Sequence, residues 1–243
     1  QEGIDLVFAS EFNALLCHSD IRREIRVDAL EDYLALGYVP DPKTIIKDVH
    51  KLAPGHMFHL NLEKGQITPQ VYWNPATYLQ TSENCDDGME SRLEAAVKRR
   101  MIADVPLGAF LSGGIDSSLI VGLMSKNSDQ PIKASTIGSD ISDYDESLYA
   151  TEIAEHFGLD HDIKTVKSFS RETLNKITNH FGEPFADHSA VPTYGVSELA
   201  RERVTVSLSG DGADELFGGY RRYIMHLNEE KIRRVLPFWF RHI

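Results

Sequence analysis

The sequence predicts an α/β fold: a doubly wound parallel sheet with a small β-containing appendage on its N-terminal side. Three observations support this prediction. From Met89 onward, short apolar runs alternate with helical patterns, which is typical of parallel strands joined by crossover helices. Two of these runs lead directly into glycine-rich loops, where α/β sheets bind ligands. Ahead of them, two short β-like runs flank a turn.

The N-terminal part is predicted to be short and only partly helical. Residues 1–17 are interpreted as a strand, Ile4 to Ala9, and the start of a helix. Val27 to Leu36 has apolar residues at helical spacing and ends at Gly37, which predicts an amphipathic helix. Met57 to Leu62 and Ile67 to Trp73 flank a glycine-containing turn and predict a β-hairpin. A polar, acidic stretch at 81–88 indicates a domain boundary.

The C-terminal part is predicted to alternate strands with helices. A helix starts at Met89, and the remaining elements follow in the order strand 105–111, helix 116–126, strand 132–138, helix 146–158, strand 161–166, helices 170–181 and 192–203, strand 204–208 and a last helix from 214. The chain is therefore divided into residues 1–17, an intermediate segment 18–85 with the helix and hairpin, and a sheet domain 86–243.

The first glycine loop is the run Leu111-Ser112-Gly113-Gly114-Ile115-Asp116-Ser117-Ser118, between an apolar strand and a helix. Paired glycines let backbone N–H groups approach a phosphate, and a helix N-terminus favours negative charge. The serines add hydroxyl donors, and Asp116 offers a carboxylate suited to Mg²⁺. This combination indicates a pyrophosphate site that cleaves ATP between its α and β phosphates. The alternative is an ordinary strand-to-helix turn with a capping acid.

The second loop, Ser209 to Tyr220, follows the run Val204 to Leu208. Four glycines and three acids in twelve residues suit a loop that approaches a ligand and presents carboxylates to a metal. Asp211 and Asp214 are three residues apart, so one turn of helix would aim both in a similar direction. The alternative is an acidic loop with a helix cap.

Together the two loops resemble the synthetase domain of glutamine-hydrolysing asparagine synthetases, a family of the PP-loop ATP pyrophosphatase (adenine-nucleotide α-hydrolase) type. The first loop resembles the family's SGGxDS motif, and SGDGADELFGGYRRY resembles its second loop. Further similar segments are Gly182 to Asp187, Pro192 to Tyr194, and much of the stretch from Asp32 to Trp73, so that the resemblance spans essentially the whole chain.

The resemblance implies a role for each residue of the two loops. Asp211 is expected to deprotonate the incoming amine, although some relatives carry glutamate there, and Glu183 and Asp187 to contact the amino-acid substrate or to hold their own loop together. Asp116 and Asp214 are expected to bind Mg²⁺. The residues expected to bind ATP are Leu111 and Ile137 at the adenine, Ser209 and Gly210 beside the nucleotide, and Ser112, Gly113, Gly114, Ser117 and Ser118 at the pyrophosphate. For Leu111 and Ile137, simple core packing is the alternative.

The activity implied by the resemblance is ATP-dependent amidation of aspartate through β-aspartyl-AMP, with ammonia drawn from glutamine. The sequence starts without methionine inside a predicted strand and has no N-terminal cysteine, so we expect a fragment in which residues 1–17 are the remnant of a glutaminase domain and the glutaminase nucleophile is missing. It also stops before the family's last helical region, so we expect impaired synthesis. The alternatives are a β-lactam-synthetase-like or other amidotransferase that adenylates a different carboxylate, and a non-catalytic ATP-binding module.

Composition excludes several other classes of protein. A net charge of −12 opposes binding to nucleic acid or to an anionic membrane surface. No apolar run reaches the roughly 20 residues that span a bilayer. Two cysteines, Cys17 and Cys85, support neither a disulfide framework nor a zinc site and fit a reducing compartment, so a cytoplasmic location is expected. The resemblance further implies a homodimer for the full-length enzyme.

Overall fold

The computed structural model describes residues 6–77, 88–141, 145–166 and 170–236. It divides the chain into two compact units, Gln1–Gly88 with Phe169–Tyr194, and Met89–Ser168 with Gly195–Ile243. They are called here the first unit and the sheet unit. The predicted boundary at 85/86 lies outside the described residues, as does Cys85, and the three-part division of the chain remains a prediction.

In chain order, the elements are α1 (Phe12–Leu15), α2 (Val27–Leu36), β1 (His56–Asn61), β2 (Gln66–Val71), a 3₁₀ turn (Pro75–Thr77), α3 (Met89–Arg100), β3 (Leu107–Phe110), α4 (Ile115–Lys126), β4 (Lys133–Ser139), α5 (Ser147–Phe157), β5 (Asp160–Val166), α6 (Arg171–Phe181), α7 (Ala190–Arg201), β6 (Val206–Leu208), α8 (Ala213–Phe217) and α9 (Arg221–Val235).

The first unit contains the predicted helix and hairpin. Helix α2 ends at Gly37, which has a φ of 82°, a left-handed conformation that glycine adopts without strain. The Gly37 N–H donates to Tyr33 O at 2.8 Å. Strands β1 and β2 pair antiparallel, with His56 opposite Val71 and Asn61 opposite Gln66. Both elements confirm the prediction, the hairpin to within two residues. Their unit has its own small core of Ala29, Val39, Ile45 and Ile46.

The sheet unit has four parallel strands in the order β5-β4-β3-β6. Strands β3, β4 and β5 follow one another across the sheet in chain order, and β6 then pairs with the other edge of β3. Because crossovers between parallel strands are right-handed, this reversal winds the two halves onto opposite faces of the sheet. The predicted doubly wound parallel fold is confirmed. The core is formed by residues of α3, β3, α4, β4 and α5, among them Ala109, Val121, Met124 and Ala134.

The reversal of strand order positions the site. Adjacent strands β3 and β6 are followed by loops that leave the sheet in different directions, which opens a crevice at the carboxyl ends of the strands. Both glycine loops of the sequence begin there, at Leu111 and at Ser209.

Several elements are shorter in the structure than predicted, and one predicted helix is divided into two. Strand β3 starts after Pro106, which has no N–H to donate to a neighbouring strand. Strand β6 starts at Val206 because the N–H of Val204 still donates to Ala200 O at 2.8 Å, at the end of α7. The predicted last helix is split by Gly218, whose φ is 71°. The strand predicted over 4–9 is wrong for its described part: residues 6–9 are irregular.

Among the described residues, no helix is both long enough and apolar enough to cross a membrane.

Candidate functional site

The first glycine loop turns sharply between β3 and α4. Gly113 has a φ of 79°, and a Cβ there would lie 2.7 Å from both Tyr149 Cβ and Ala150 N in α5. The position therefore requires a residue that has no Cβ and that adopts a positive φ without strain, and only glycine has both properties. Gly114 then caps α4 in an extended conformation. The loop is therefore packed closely against α5.

Three serine hydroxyls hold this loop in shape. Ser118 Oγ donates to Gly114 O at 2.7 Å, and Ser117 Oγ lies 3.2 Å from the same oxygen. Ser112 Oγ lies 3.0 Å from Ser117 Oγ and accepts from the Gly114 N–H at 3.3 Å. The first intrahelical bond of α4 is Ser118 N to Gly114 O at 3.0 Å, so the preceding N–H groups have no partner of that kind. Backbone N–H groups at a helix N-terminus and the helix dipole both favour negative charge.

The second glycine loop touches the first. A Cβ on Gly210 would lie 2.8 Å from Asp116 Cβ and 2.8 Å from Ser117 N. Glycine at this position therefore brings the backbone of the second loop against the first turn of α4 without covering that turn with a side chain. The loop continues through Gly212, whose φ is 92°, into the short helix α8.

The three aspartates of the two loops differ in their surroundings. Asp116 and Asp214 are half-buried, and within the described part of the chain neither carboxylate has a hydrogen bond or an ion pair. Asp211 is exposed and accepts a hydrogen bond from Ser209 Oγ at 2.9 Å. The expectation that Asp211 and Asp214 share a helical turn is wrong, because the left-handed Gly212 separates Asp211 from α8.

The two residues predicted to contact the adenine are Leu111, directly after β3, and Ile137, in β4. Leu111 is 2 % exposed and belongs to the hydrophobic core, so its side chain packs inward. Ile137 in β4 is half-buried, and its side chain retains an exposed surface. Of the two side chains, only that of Ile137 is exposed enough to contact a ligand.

Glu183 and Asp187 lie in the first unit, in the segment after α6, and each already has partners there. Glu183 forms an ion pair with Lys51 Nζ at 2.5 Å and accepts from the Ile45 N–H at 3.3 Å. Asp187 accepts from Ser189 Oγ at 2.7 Å and from the Ser189 N–H at 2.8 Å, and these bonds lower the pKa of its carboxyl group. These contacts hold the segment in place.

A cluster at the end of the second loop was not singled out in the sequence. Tyr220 donates its phenolic proton to Glu215 Oε1 at 2.7 Å, and the Arg222 guanidinium lies 4.1 Å from the centroid of the Tyr220 ring. The hydrogen bond to the Glu215 carboxylate raises the pKa of Tyr220 to about 12. Its signal in the sequence is the run of tyrosine and arginines that follows Gly219.

The acidic residues before α5 serve the start of that helix. Asp145 Oδ1 accepts from the Ser147 N–H at 3.2 Å and the Ser139 N–H at 3.3 Å. Hydrogen bonds from Ser147, with a smaller one from Ser139, lower the pKa of Asp145. Within the described ranges, no group of three or more His, Cys, Asp or Glu residues is placed to hold a metal ion.

Comparison with known proteins adds two family matches. Residues 88–242 match the asparagine synthase family, and residues 1–73 match the glutamine amidotransferase domain. Because the first match covers well over half of the chain, it establishes the family.

Two curated relatives illustrate the similarity. A protein of Methanocaldococcus jannaschii named as a glutamine-hydrolysing asparagine synthetase is 37% identical over 98% of this chain and 47% of its own length. Glutamine-hydrolysing asparagine synthetase 1 of Bacillus subtilis is 37% identical over 94% of this chain and 36% of its own length. The chain thus spans between about a third and a half of these relatives.

Among solved structures, an NMN synthetase from Francisella tularensis matches 61% of this chain and 59% of its own, with 18% identity and a TM-score of 0.38.

Proposed function

The chain belongs to the asparagine synthase family, and from this premise we propose that its sheet unit binds Mg·ATP and transfers the adenylyl group to the side-chain carboxylate of aspartate. Ammonia then displaces AMP to give asparagine. The observation that carries the proposal is the contact between the two glycine loops at the strand-order reversal, where Gly210 lies against Asp116 and Ser117. Glutamine would supply the ammonia through the part related to glutamine amidotransferases.

The pyrophosphate of ATP is proposed to lie on the first turn of α4. The N–H groups ahead of the Ser118–Gly114 bond and the helix dipole both favour an anion there. Gly113 and Gly114 let the backbone approach the phosphates. Ser112, Ser117 and Ser118 act mainly by holding the loop, since their hydroxyls bond within it. Ile137, together with the backbone of Leu111, Ser209 and Gly210, would border the rest of the nucleotide.

We propose that Asp116 and Asp214 hold a magnesium ion. Both are half-buried and carry carboxylates without a hydrogen bond or ion pair among the described residues, and Mg²⁺ is commonly held by one or two carboxylates plus substrate phosphates and water. When bound, the ion would neutralise charge on the departing pyrophosphate. Asp211, on the exposed side of the same loop, is proposed to accept a proton from the attacking amine.

The proposal extends to the setting of the whole enzyme. Its small-molecule partners would be ATP, aspartate and glutamine or ammonia, which are available in the cytoplasm, and we place the protein there. We also propose a homodimer for the full-length enzyme. Gel filtration with light scattering would test the dimer, and a monomer at micromolar concentration would contradict it.

The products of the reaction test the proposed chemistry. The protein is incubated with Mg·ATP, aspartate and ammonia, and AMP, ADP, pyrophosphate and asparagine are quantified. AMP and pyrophosphate in amounts equal to asparagine support the proposal, whereas ADP and phosphate contradict it. If AMP forms only when aspartate is replaced by another carboxylate, that carboxylate, and not aspartate, is the acceptor.

A further inference from the structure

A short chain of hydrogen bonds runs from β5 to the first glycine loop through a single peptide group. The peptide between Leu111 and Ser112 is the link by which β3 enters the loop. Its carbonyl, Leu111 O, accepts from Thr136 Oγ1 at 2.6 Å, and its N–H, on Ser112, donates to Ser117 Oγ at 3.2 Å. Both ends of this peptide plane are therefore fixed, one by β4 and one by α4.

The direction of the chain follows from counting protons. A carbonyl oxygen only accepts, so the single hydroxyl proton of Thr136 is used on Leu111 O. Thr136 Oγ1 also lies 2.7 Å from His161 Nε2 in β5. Because the hydroxyl proton is already used, Thr136 Oγ1 is the acceptor in this second hydrogen bond. His161 must then carry a proton on Nε2 and donate it.

Burial strengthens the network and keeps its first member neutral. Thr136 is 1 % exposed, and His161 is half-buried, so neither bond competes freely with water. Desolvation lowers the pKa of His161, and the smaller opposing effect comes from Asp162. The lowered pKa favours the neutral imidazole, in which a proton on Nε2 leaves the second nitrogen, Nδ1, unprotonated.

We propose that His161 is a positioning residue of the first glycine loop, acting through Thr136 on the peptide between Leu111 and Ser112. The proposal rests on the proposed role of this loop in binding ATP. Each donor in the series polarises the next, so the Ser112 N–H binds Ser117 Oγ more firmly. Ser117 lies in the first turn of α4, whose N–H groups are proposed to meet the pyrophosphate, and the network sets where that turn stands relative to β3.

The first test uses the wild-type chain and needs no nucleotide. A long-range ¹H–¹⁵N NMR spectrum identifies which nitrogen of His161 carries the proton. The expected result is one neutral tautomer with the proton on Nε2. A proton on Nδ1, or rapid averaging between the two forms, overturns the proposal because Thr136 would then lack its donor.

The second test compares Mg·ATP affinity among variants. Thr136→Val keeps the side-chain shape but removes the hydroxyl, and it is expected to weaken Mg·ATP binding about three- to tenfold and to speed hydrogen exchange at the Ser112 amide. Thr136→Ser is expected to restore both. Thr44→Val removes an equally buried hydroxyl, bonded to Ile46 O at 2.9 Å in the first unit, and should leave Mg·ATP affinity unchanged.

The outcomes separate the two proposals. A wild-type chain with the Nε2–H tautomer but no saturable Mg·ATP binding overturns the proposed function. Normal Mg·ATP affinity in Thr136→Val overturns only the positioning role. If that variant fails to fold, His161→Gln, whose amide can donate, is compared with His161→Leu, which cannot, and equal affinities in the two overturn the positioning role.

Discussion

Gly210 is the residue at which the two glycine loops meet. Replacing it with alanine would put a methyl group 2.8 Å from Ser117 N and from Asp116 Cβ, closer than such atoms approach. Gly210→Ala is therefore expected to separate the loops, to weaken Mg·ATP binding about tenfold or more, and to lower the free energy of unfolding by about 1–3 kcal/mol. Calorimetric titration and denaturant unfolding measure these two effects.

The matched control is a second crowded glycine away from the loops. Gly108 lies within β3, where a Cβ would meet Lys133 O at 2.7 Å. Gly108→Ala should lose comparable stability but keep Mg·ATP affinity at temperatures where it remains folded. Equal losses of affinity in the two variants would show that crowding, and not the contact between the loops, governs binding.

Tyr220 gives a residue-level prediction for pH. Its phenol donates to Glu215, which raises its pKa from 10.0 to about 12, so the stability this bond provides is fully present below pH 10 and is lost as pH rises toward 12. The same bond lowers the pKa of Glu215, so its contribution is also lost as pH falls through that pKa. Spectrophotometric titration should show a tyrosine that ionises near pH 12 and is absent in Tyr220→Phe. An unchanged titration curve in that variant would contradict the assignment.

Some residues could be placed from sequence and others could not. The positions of Gly113 and Gly210 follow from motif and strand context, because a tight turn beside a helix needs glycine. The inward orientation of the Ser117 and Ser118 hydroxyls depends on the three-dimensional course of the loop. The bond between Thr136 and His161 joins neighbouring strands whose pairing is not encoded locally, so no sequence pattern pointed to it.

At the scale of elements, Arg203 joins the end of α7 to β5. Its guanidinium contacts Asp162 Oδ2 at 2.6 Å and also Asp160, two residues apart and on the same side of the strand. The two aspartates flank His161, and because side chains alternate along a strand, their carboxylates project from the opposite face of the sheet to the His161 ring. The clamp thus stabilises the return of the chain to β6 without entering the site.

Loss of this clamp should therefore affect stability alone. Since the partners are partly exposed, Arg203→Ala is expected to reduce the free energy of unfolding by only about 0.5–1.5 kcal/mol and to leave Mg·ATP affinity unchanged. Thermal unfolding and calorimetric titration test this, with Arg99→Ala, exposed on α3, as control. A marked loss of affinity in Arg203→Ala would show that these ion pairs are coupled to the glycine loops.

The order and type of the elements were accessible from sequence, and their ends less so. Helix α2 could be bounded because Gly37 ends it, and α4 because a glycine pair precedes it. The start of β6 could not, because the N–H of Val204 is used by α7, a contact set by packing. The break between α8 and α9 falls at the pair Gly218-Gly219, a sequence signal that the prediction of one continuous helix overlooked.

At the scale of the whole molecule, the chain leaves the sheet unit after β5 and contributes residues 169–194 to the first unit before returning. Glu183 lies in this segment, where it forms an ion pair with Lys51 and accepts a hydrogen bond from the Ile45 N–H. Sequence patterns could not show this division, because it depends on contacts between segments far apart in the chain.

Glu183→Ala separates the two interpretations of that residue. Removing its partly buried contacts should lower the free energy of unfolding by about 1–3 kcal/mol while leaving Mg·ATP affinity as in wild type. If Glu183 also contacts the acceptor, the KM for aspartate rises in this variant, and a steady-state assay shows it. An unchanged KM with reduced stability would assign the residue to holding its segment alone.

The central claim is that the two glycine loops form one Mg·ATP site, and calorimetric titration of the chain with Mg·ATP tests it most directly. We expect saturable, magnesium-dependent binding that weakens about 10- to 100-fold in Asp116→Asn, as for a lost charged contact. Asp129→Asn, the same change at an exposed position of the sheet unit, should bind as wild type does. Binding that is absent in wild type, or equal in wild type and Asp116→Asn, would contradict the account.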